Sequence, residues 1–178
     1  MQQVRWNPQC WKRDHPAAKM IRMTRLILIP FLLTGLMVAM AADLPSRKYL
    51  NLAAIKTMVA AAEQEAQKRN LQVTICILDE SGNLLFLQKA DGAGLNTIQF
   101  AQRKARYAAL YGRPSKAAAD QLKSGDLGVL AFPDAFPNQG GVPIKVDGQT
   151  IGAIACSGAK SEEDEAISQT AVDALLKK

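Results

Sequence analysis

The segment Gly140–Ile167, GGVPIKVDGQTIGAIACSGAKSEEDEAI, contains a turn signal and a helix start in one continuous stretch. Asp147-Gly148 separates the apolar runs Val142–Val146 and Thr150–Cys156, and an Asp-Gly pair between such runs is typical of a tight β-hairpin. Ser161 is followed by a run of acidic residues, which stabilise the positive end of a helix dipole. The segment therefore predicts a β-hairpin followed by a helix that Ser161 caps.

An earlier part of the chain predicts a second hairpin. Gln72–Leu78 is alternating and rich in β-branched residues, the polar turn Asp79–Asn83 contains Gly82, and Leu84–Leu87 is apolar again. Between the two hairpins, the apolar run Leu127–Phe132 predicts one more strand. Five strands are therefore expected.

Apolar residues at three- and four-residue steps indicate further helices. Asn51 is the expected N-cap of the first helix, Thr97–Tyr111 forms a middle helix that ends at Gly112, and Ser115–Lys123 forms a short one. The predicted order is α-ββ-α-α-β-ββ-α, an α/β (α+β) fold. Because two hairpins imply a mainly antiparallel five-stranded sheet, we expect helices to flank it and cover at least one face.

The N-terminal part has the pattern of an export signal. Arg22 and Arg25 precede the apolar stretch Leu26–Val38, which is shorter than the roughly 20 residues needed to span a bilayer. Ala39-Met40-Ala41 matches the small-x-small rule for cleavage, which predicts a signal peptide over 20–41. The alternative is an uncleaved membrane anchor.

Residues 1–19 precede this signal and show neither a helical nor a strand period. We predict an unstructured upstream extension there, with translation starting at Met20 or Met23. Cleavage before Ala42 leaves residues 42–178 as a single domain, periplasmic or secreted, which meets a membrane only transiently through its signal peptide.

The net charge of +6 comes almost entirely from residues 1–41, so the remaining chain is nearly neutral. Without a basic stripe there is no electrostatic case for nucleic acid as a partner. Cleavage of the signal also removes His15, the only histidine of the sequence. Histidine-based catalysis and histidine-ligated zinc are therefore excluded for the processed chain, and no catalytic residue is assigned.

Several segments resemble the GlcG/HbpS family of haem-binding ("haem-degrading") proteins, which includes the C-terminal domain of PduO-type corrinoid adenosyltransferases. The resemblance lies in ILDESGNLL within Val73–Leu87, in the KA of Gln102–Ala109, in GRPS at 112–115 and above all in Gly140–Ile167. It implies a five-stranded antiparallel sheet with flanking helices, assembly into homo-oligomers, and haem or another tetrapyrrole as the ligand of some members. It also implies a secreted or sensor-linked role in some members.

If haem is bound, its iron needs a ligand, and the processed chain offers tyrosine, cysteine, methionine or weaker oxygens. Tyr107 and Tyr111 lie four residues apart on one face of the middle helix, and Arg103 lies four residues before Tyr107. A guanidinium beside Tyr107 would favour its phenolate, and Lys104 and Arg106 would meet the haem propionates. We therefore predict Tyr107, Arg103, Lys104 and Tyr111 as cofactor-binding residues. The alternative is that both tyrosines are half-buried helix or subunit-contact aromatics.

The glycines of the family-like tail allow a structural and a functional interpretation. Gly140 and Gly141 suit a tight loop that enters a strand, and Ser157 ends the following hairpin. Alternatively, Gly140, Gly141 and Ser157 line a ligand pocket with their backbone. The two interpretations stay open at this level.

Cys76 and Cys156 both lie within apolar strands. Three interpretations are open: the two cysteines are buried free thiols, they form a disulfide, or they have a metal or redox role. The acidic residues, Asp164 among them, include no pair whose spacing requires a shared site, and we expect them on solvated faces and helix caps.

The function favoured by these observations is an exported binding module for haem or another small planar ligand. One alternative is an enzyme that degrades haem or a small metabolite. Another is an oligomeric partner of a membrane sensor without chemistry of its own.

Overall fold

The computed structural model describes residues 45–177, so the predicted extension and export signal lie outside the described residues. The described elements follow the predicted order except at one place. They are α1 (Leu52–Lys68), β1 (Thr74–Asp79), β2 (Leu84–Lys89), α2 (Thr97–Tyr111), α3 (Lys116–Lys123), a 3₁₀ helix (Leu127–Ala131), β3 (Gly141–Val146), β4 (Gln149–Ser157) and α4 (Ser161–Leu176).

The described part of the chain contains one four-stranded sheet with the order β2-β1-β4-β3. All neighbouring strands pair antiparallel, so both predicted hairpins are confirmed. The second hairpin turns at Asp147 and Gly148, whose φ values are 50° and 77°. A two-residue turn with positive φ at both positions matches the twist of the flanking strands, which explains why an Asp-Gly pair stands there.

The predicted fifth strand is wrong, because Leu127–Ala131 forms a 3₁₀ helix. The Asp126 side chain accepts a hydrogen bond from the Gly128 backbone N–H (3.0 Å) and so caps the start of this helix. Of its residues only Val129 is buried, whereas a strand would bury alternate residues. An apolar run of this length does not by itself distinguish a strand from a short helix.

The sheet lies between two layers of helices. Ile75 and Cys156 belong to the cluster that packs under α1 and α4, and Cys76 and Ala155 belong to the cluster under α2. The strands β1 and β4 are therefore covered on both faces, which explains their continuously apolar sequence. The short helix α3 and the 3₁₀ helix pack against the C-terminal half of α2 through Tyr107.

The helix α2 approaches the sheet closely because small residues face each other there. Ala101 and Ala105 of the helix are fully buried against this face of the sheet, which presents Ala153 and Ala155. At Gly141 on β3, a Cβ atom would lie 2.3 Å from the Lys104 carbonyl oxygen. Only glycine fits there, since backbone contacts backbone.

The helix ends agree in part with the predictions. Asn51 caps α1 by accepting a hydrogen bond from the Ala54 N–H (2.8 Å), and Gly112 ends α2 with a φ of 60°. The helix α4 begins at Ser161 as predicted, but its N-cap residue is Lys160 and no side chain caps it. The prediction that Ser161 caps this helix is therefore wrong.

Cys76 and Cys156 are buried free thiols. Cys76 stands opposite Ala155 and Ile75 opposite Cys156 in the register of β1 and β4, so the two thiols lie on opposite faces of the sheet. A disulfide is excluded by this geometry. Burial raises the pKa of each thiol to about 12, so both stay protonated and unreactive at neutral pH.

Within residues 45–177, every helix is too short or too polar to cross a membrane.

We predict that the substitution Gly141→Ala lowers the free energy of unfolding by about 1–3 kcal/mol, because the added methyl forces α2 away from β3. The matched control is Gly94→Ala, whose methyl would meet only side-chain atoms at 3.4 and 3.6 Å, and we expect a change within about 0.5 kcal/mol. Urea unfolding followed by circular dichroism measures both. Equal losses in the two variants would contradict the close approach of α2.

Candidate functional site

A buried ion pair lies where α2, β4 and α4 meet. The Lys104 ammonium donates to Asp164 Oδ2 (2.8 Å), and each side chain is only 2% exposed. The same ammonium donates to the Cys156 carbonyl oxygen (3.2 Å) near the end of β4. The pair thus joins two helices that cover opposite faces of the sheet.

The Asp164 carboxylate is held by the protein rather than by solvent. Its Oδ1 accepts a hydrogen bond from the Ala159 N–H (3.0 Å) in the turn before α4. Burial raises the pKa of the Asp164 carboxyl, and the Lys104 ammonium and the backbone donors counteract this in part. Asp164 therefore lies in the first turn of α4, as expected, but it is buried in an ion pair rather than solvated.

Glycines make room for the lysine. A Cβ atom at Gly140 would lie 2.8 Å from Lys104 Nζ, and Gly140 has a φ of 132°. The Gly140 carbonyl accepts a hydrogen bond from Ser168 Oγ (2.8 Å), and the Gly141 N–H donates to Ser115 Oγ (2.9 Å). The predicted residues Gly140 and Gly141 therefore hold the path of the loop past the ion pair, which favours their structural interpretation.

A small polar cavity of about 280 Å³ lies beside this ion pair. It is bordered by the start of α2, by the end of β4 and by the start of α4, so Lys104 and Ser157, both predicted as site residues, come together there. A volume near 300 Å³ is at the lower end for small-molecule sites, so the cavity suits a small polar ligand. Its lining includes Thr97, Phe100, Lys104, Asn138, Ser157 and Asp164.

The predicted tyrosines lie elsewhere, under α3 and the 3₁₀ helix. Tyr107 is completely buried with Ala118 and Val129, and its hydroxyl has no hydrogen-bond partner. The Tyr111 hydroxyl donates to the Pro133 carbonyl oxygen, and the two tyrosine rings are 4.7 Å apart. In this arrangement the two rings pack between α2, α3 and the 3₁₀ helix.

Arg103 does not reach the Tyr107 hydroxyl, because its guanidinium lies 4.4 Å from the centre of the Phe136 ring. Arg106 instead donates to Asp134 Oδ1 (2.8 Å). The predicted set therefore separates: Lys104 joins the polar cavity, whereas Arg103, Tyr107 and Tyr111 do not.

The sequence interpretation missed a second, larger cavity of about 640 Å³ at the start of α1. It lies between the segment Arg47–Asn51, the β3–β4 hairpin and the end of α4. Tyr49 borders it and is 73% exposed. The signal in the sequence was the cluster Arg47-Lys48-Tyr49, which directly precedes the first helix.

The described part of the chain offers no metal centre as an alternative site. Within 45–177, no group of three or more histidine, cysteine, aspartate or glutamate side chains is placed to hold a metal ion.

The family model described as "Haem degrading protein HbpS-like" matches residues 50–173. Protein GlcG of Escherichia coli is 38% identical over 100 residues, which make up 56% of this chain and 75% of GlcG. The residues that match the family model include both members of the buried ion pair, Lys104 and Asp164.

Solved structures share the same fold. A double mutant of HbpS from Streptomyces reticuli superimposes with a TM-score of 0.68 and 26% identity, covering 76% of this chain and 92% of that chain. The PduOC:Heme complex superimposes with a TM-score of 0.67 and 25% identity, covering 71% of this chain and 95% of that chain.

We predict that Lys104→Met lowers the free energy of unfolding by about 3–5 kcal/mol at neutral pH, because Asp164 is left buried without its counter-charge. Without the lysine, the pKa of Asp164 rises further above its ordinary value of 3.8. The loss of unfolding free energy is therefore smallest below pH 3.8, and it grows as the pH rises from there through the raised pKa of Asp164. Urea unfolding at several pH values measures this dependence.

The matched control is Lys116→Met, which breaks the exposed Lys116–Asp120 pair and should leave stability nearly unchanged. The variant Lys104→Met/Asp164→Asn removes both charges and should recover part of the loss. A loss in Lys104→Met that does not depend on pH would contradict the buried charge on Asp164.

Proposed function

Since the chain belongs to the HbpS-like family, we propose that it is an exported protein that binds haem or a related tetrapyrrole. The match over residues 50–173 carries this proposal, and the similarity to a structure solved as a haem complex supports it. Haem supplies iron chemistry when it is bound, and the protein supplies the ligand atom, the propionate partners and an apolar surface.

The donor atoms of the described chain restrict where such a ligand fits. Met58, Cys76 and Cys156 are completely buried in the core, and Tyr107 is sealed beneath the 3₁₀ helix. Iron ligation by Tyr107 or Tyr111, as predicted from the sequence, would require α3 and the 3₁₀ helix to open. The cavity of about 640 Å³ has the size, the apolar wall and the charges that a tetrapyrrole needs.

Binding is favoured over catalysis by the side chains that surround the cavities. The polar cavity holds a lysine that is already paired with Asp164, and no imidazole is present in residues 45–177. The description of the family model as haem-degrading nevertheless supports an enzyme as the second candidate. Degradation requires little from the protein, because iron and an oxidant carry most of the chemistry.

We further propose that the protein is periplasmic or secreted and forms homo-oligomers. The sequence pattern of residues 20–41 supports export. Exposed apolar side chains in and directly after the 3₁₀ helix support self-association, since several of them close together are unusual on a monomer: Leu127, Leu130 and Phe132. A membrane sensor as partner stays a prediction.

We predict that titration of the full chain with ferric haem gives a saturable shift of the Soret band. A Soret spectrum identical to that of free haem would refute the proposed function. Addition of a reductant under oxygen then separates the two candidates: a stable spectrum indicates a binding protein, and loss of the Soret band with linear tetrapyrrole products indicates an enzyme.

We predict that export in a bacterial host yields a soluble periplasmic or secreted protein that starts at Ala42, because Ala39 and Ala41 satisfy the cleavage rule. Intact-mass measurement of the fractionated cells checks this. The control Ala41→Phe should block cleavage and leave the chain in the membrane fraction. An unprocessed wild-type chain in that fraction would contradict the proposal.

A further inference from the structure

The cavity at the start of α1, here called the Tyr49 cleft, is defined by the side chains of three separate parts of the chain. The segment before α1 contributes Arg47, Lys48, Tyr49 and Leu50. The β3–β4 hairpin contributes Val146 and Ile151, and the end of α4 contributes Leu175 and Leu176. With a volume of about 640 Å³, it is more than twice as large as the polar cavity beside Lys104.

The Tyr49 cleft combines the groups that an iron tetrapyrrole requires. Val146, Leu175 and Leu176 give an accessible apolar wall, which suits the face of a flat macrocycle. Arg47 and Lys48 stand beside it as cations for carboxylate side groups. Tyr49 adds an oxygen donor that can ligate ferric iron.

The acidic partners of Arg47 and Lys48 can be replaced by a carboxylate of the ligand. Arg47 pairs with Glu80 and Lys48 pairs with Asp147, but the two basic side chains are 62% and 58% exposed. Exposed ion pairs contribute little to stability, so a ligand carboxylate can replace either acidic partner. A buried pair such as Lys104–Asp164 could not be exchanged in this way.

Tyr49 is more accessible to a ligand than the other two tyrosines of the described chain. Tyr49 is 73% exposed, whereas Tyr107 is 0% exposed and the Tyr111 hydroxyl already donates to the Pro133 carbonyl oxygen. Leu176, at the rim of the cleft, is 47% exposed and would be covered by a bound apolar disc. The donor and the apolar rim are thus accessible at the same place.

We propose that Tyr49 is the iron ligand of this protein and that Arg47 and Lys48 hold the propionates, an inference that rests on the proposed tetrapyrrole binding. On ligation the phenol O–H bond would break and the phenolate oxygen would replace the axial water of ferric haem, so that the proton and the displaced water pass to solvent.

The test uses the full chain carrying His15→Ala, because an imidazole outside the described residues would compete for iron. Ferric haem is titrated into this parent and into Tyr49→Phe, and the Soret band and the phenolate-to-iron charge-transfer band are recorded. We expect Tyr49→Phe to lose the charge-transfer band and to bind at least about tenfold more weakly, since even outer-shell partners of metals contribute that much. Tyr107→Phe and Tyr111→Phe are the matched controls and should behave as the parent does.

A second arm separates the cations from the iron ligand. In Arg47→Gln/Lys48→Gln the charge-transfer band should persist, while the dissociation constant rises several-fold and becomes less sensitive to salt. Iron-free protoporphyrin should bind Tyr49→Phe as it binds the parent, because the phenol is needed only for iron.

The outcomes separate the two proposals. A parent that takes up haem while Tyr49→Phe keeps its band and affinity overturns the assignment of Tyr49 and leaves the proposed function standing. Loss of haem binding on His15→Ala alone, with binding in the wild-type chain, also overturns it. A wild-type chain that fails to bind haem overturns the proposed function itself.

Discussion

The ion pair between Lys104 and Asp164 is the interaction on which the centre of the molecule depends. Two charges removed from water are costly unless they are matched closely, and here the 2.8 Å contact and the surrounding donors provide that match. The lysine comes from α2 and the aspartate from α4, helices on opposite faces of the sheet. Their attraction fixes both layers relative to the end of β4, and it requires glycine at 140 and 141 so that the lysine stem and the α2 backbone can pass.

The same pair sets the chemical character of the polar cavity. Its ammonium and carboxylate satisfy each other and nearby backbone groups, which leaves a small volume with ordered polar walls. Such a volume cannot take a planar macrocycle. The rigid centre thus acts as a scaffold, and the larger cleft lies on the outside of the fold, where the segment before α1 meets the hairpin and the last helix.

The ligand chemistry open to the described chain follows from composition and burial together. Without imidazole in residues 45–177, the usual haem ligands that remain are thiolate, thioether and phenolate. The packing then removes the thiols and the thioether, because the sheet and α1 bury them completely. Phenol oxygens remain, and their usefulness depends on exposure, which distinguishes Tyr49 from Tyr107.

Local signals in the sequence determined the hairpins, the middle helix with its glycine end, the Asn51 cap and the family. These features depend on residues near each other in the chain, such as the Asp147-Gly148 turn, so the sequence was enough. Leu127–Ala131 was mistaken for a strand because an apolar run carries no period that separates the two structures. The burial of Asp164 could not be predicted, because the three neighbouring acidic residues, Glu162, Glu163 and Glu165, suit the start of α4 equally well. Only the tertiary structure brought it to Lys104, 60 residues away, and only the tertiary structure buried Tyr107 while leaving Tyr49 exposed. Burial and long-range charge pairing are properties of the assembled layers, and no local pattern encodes them.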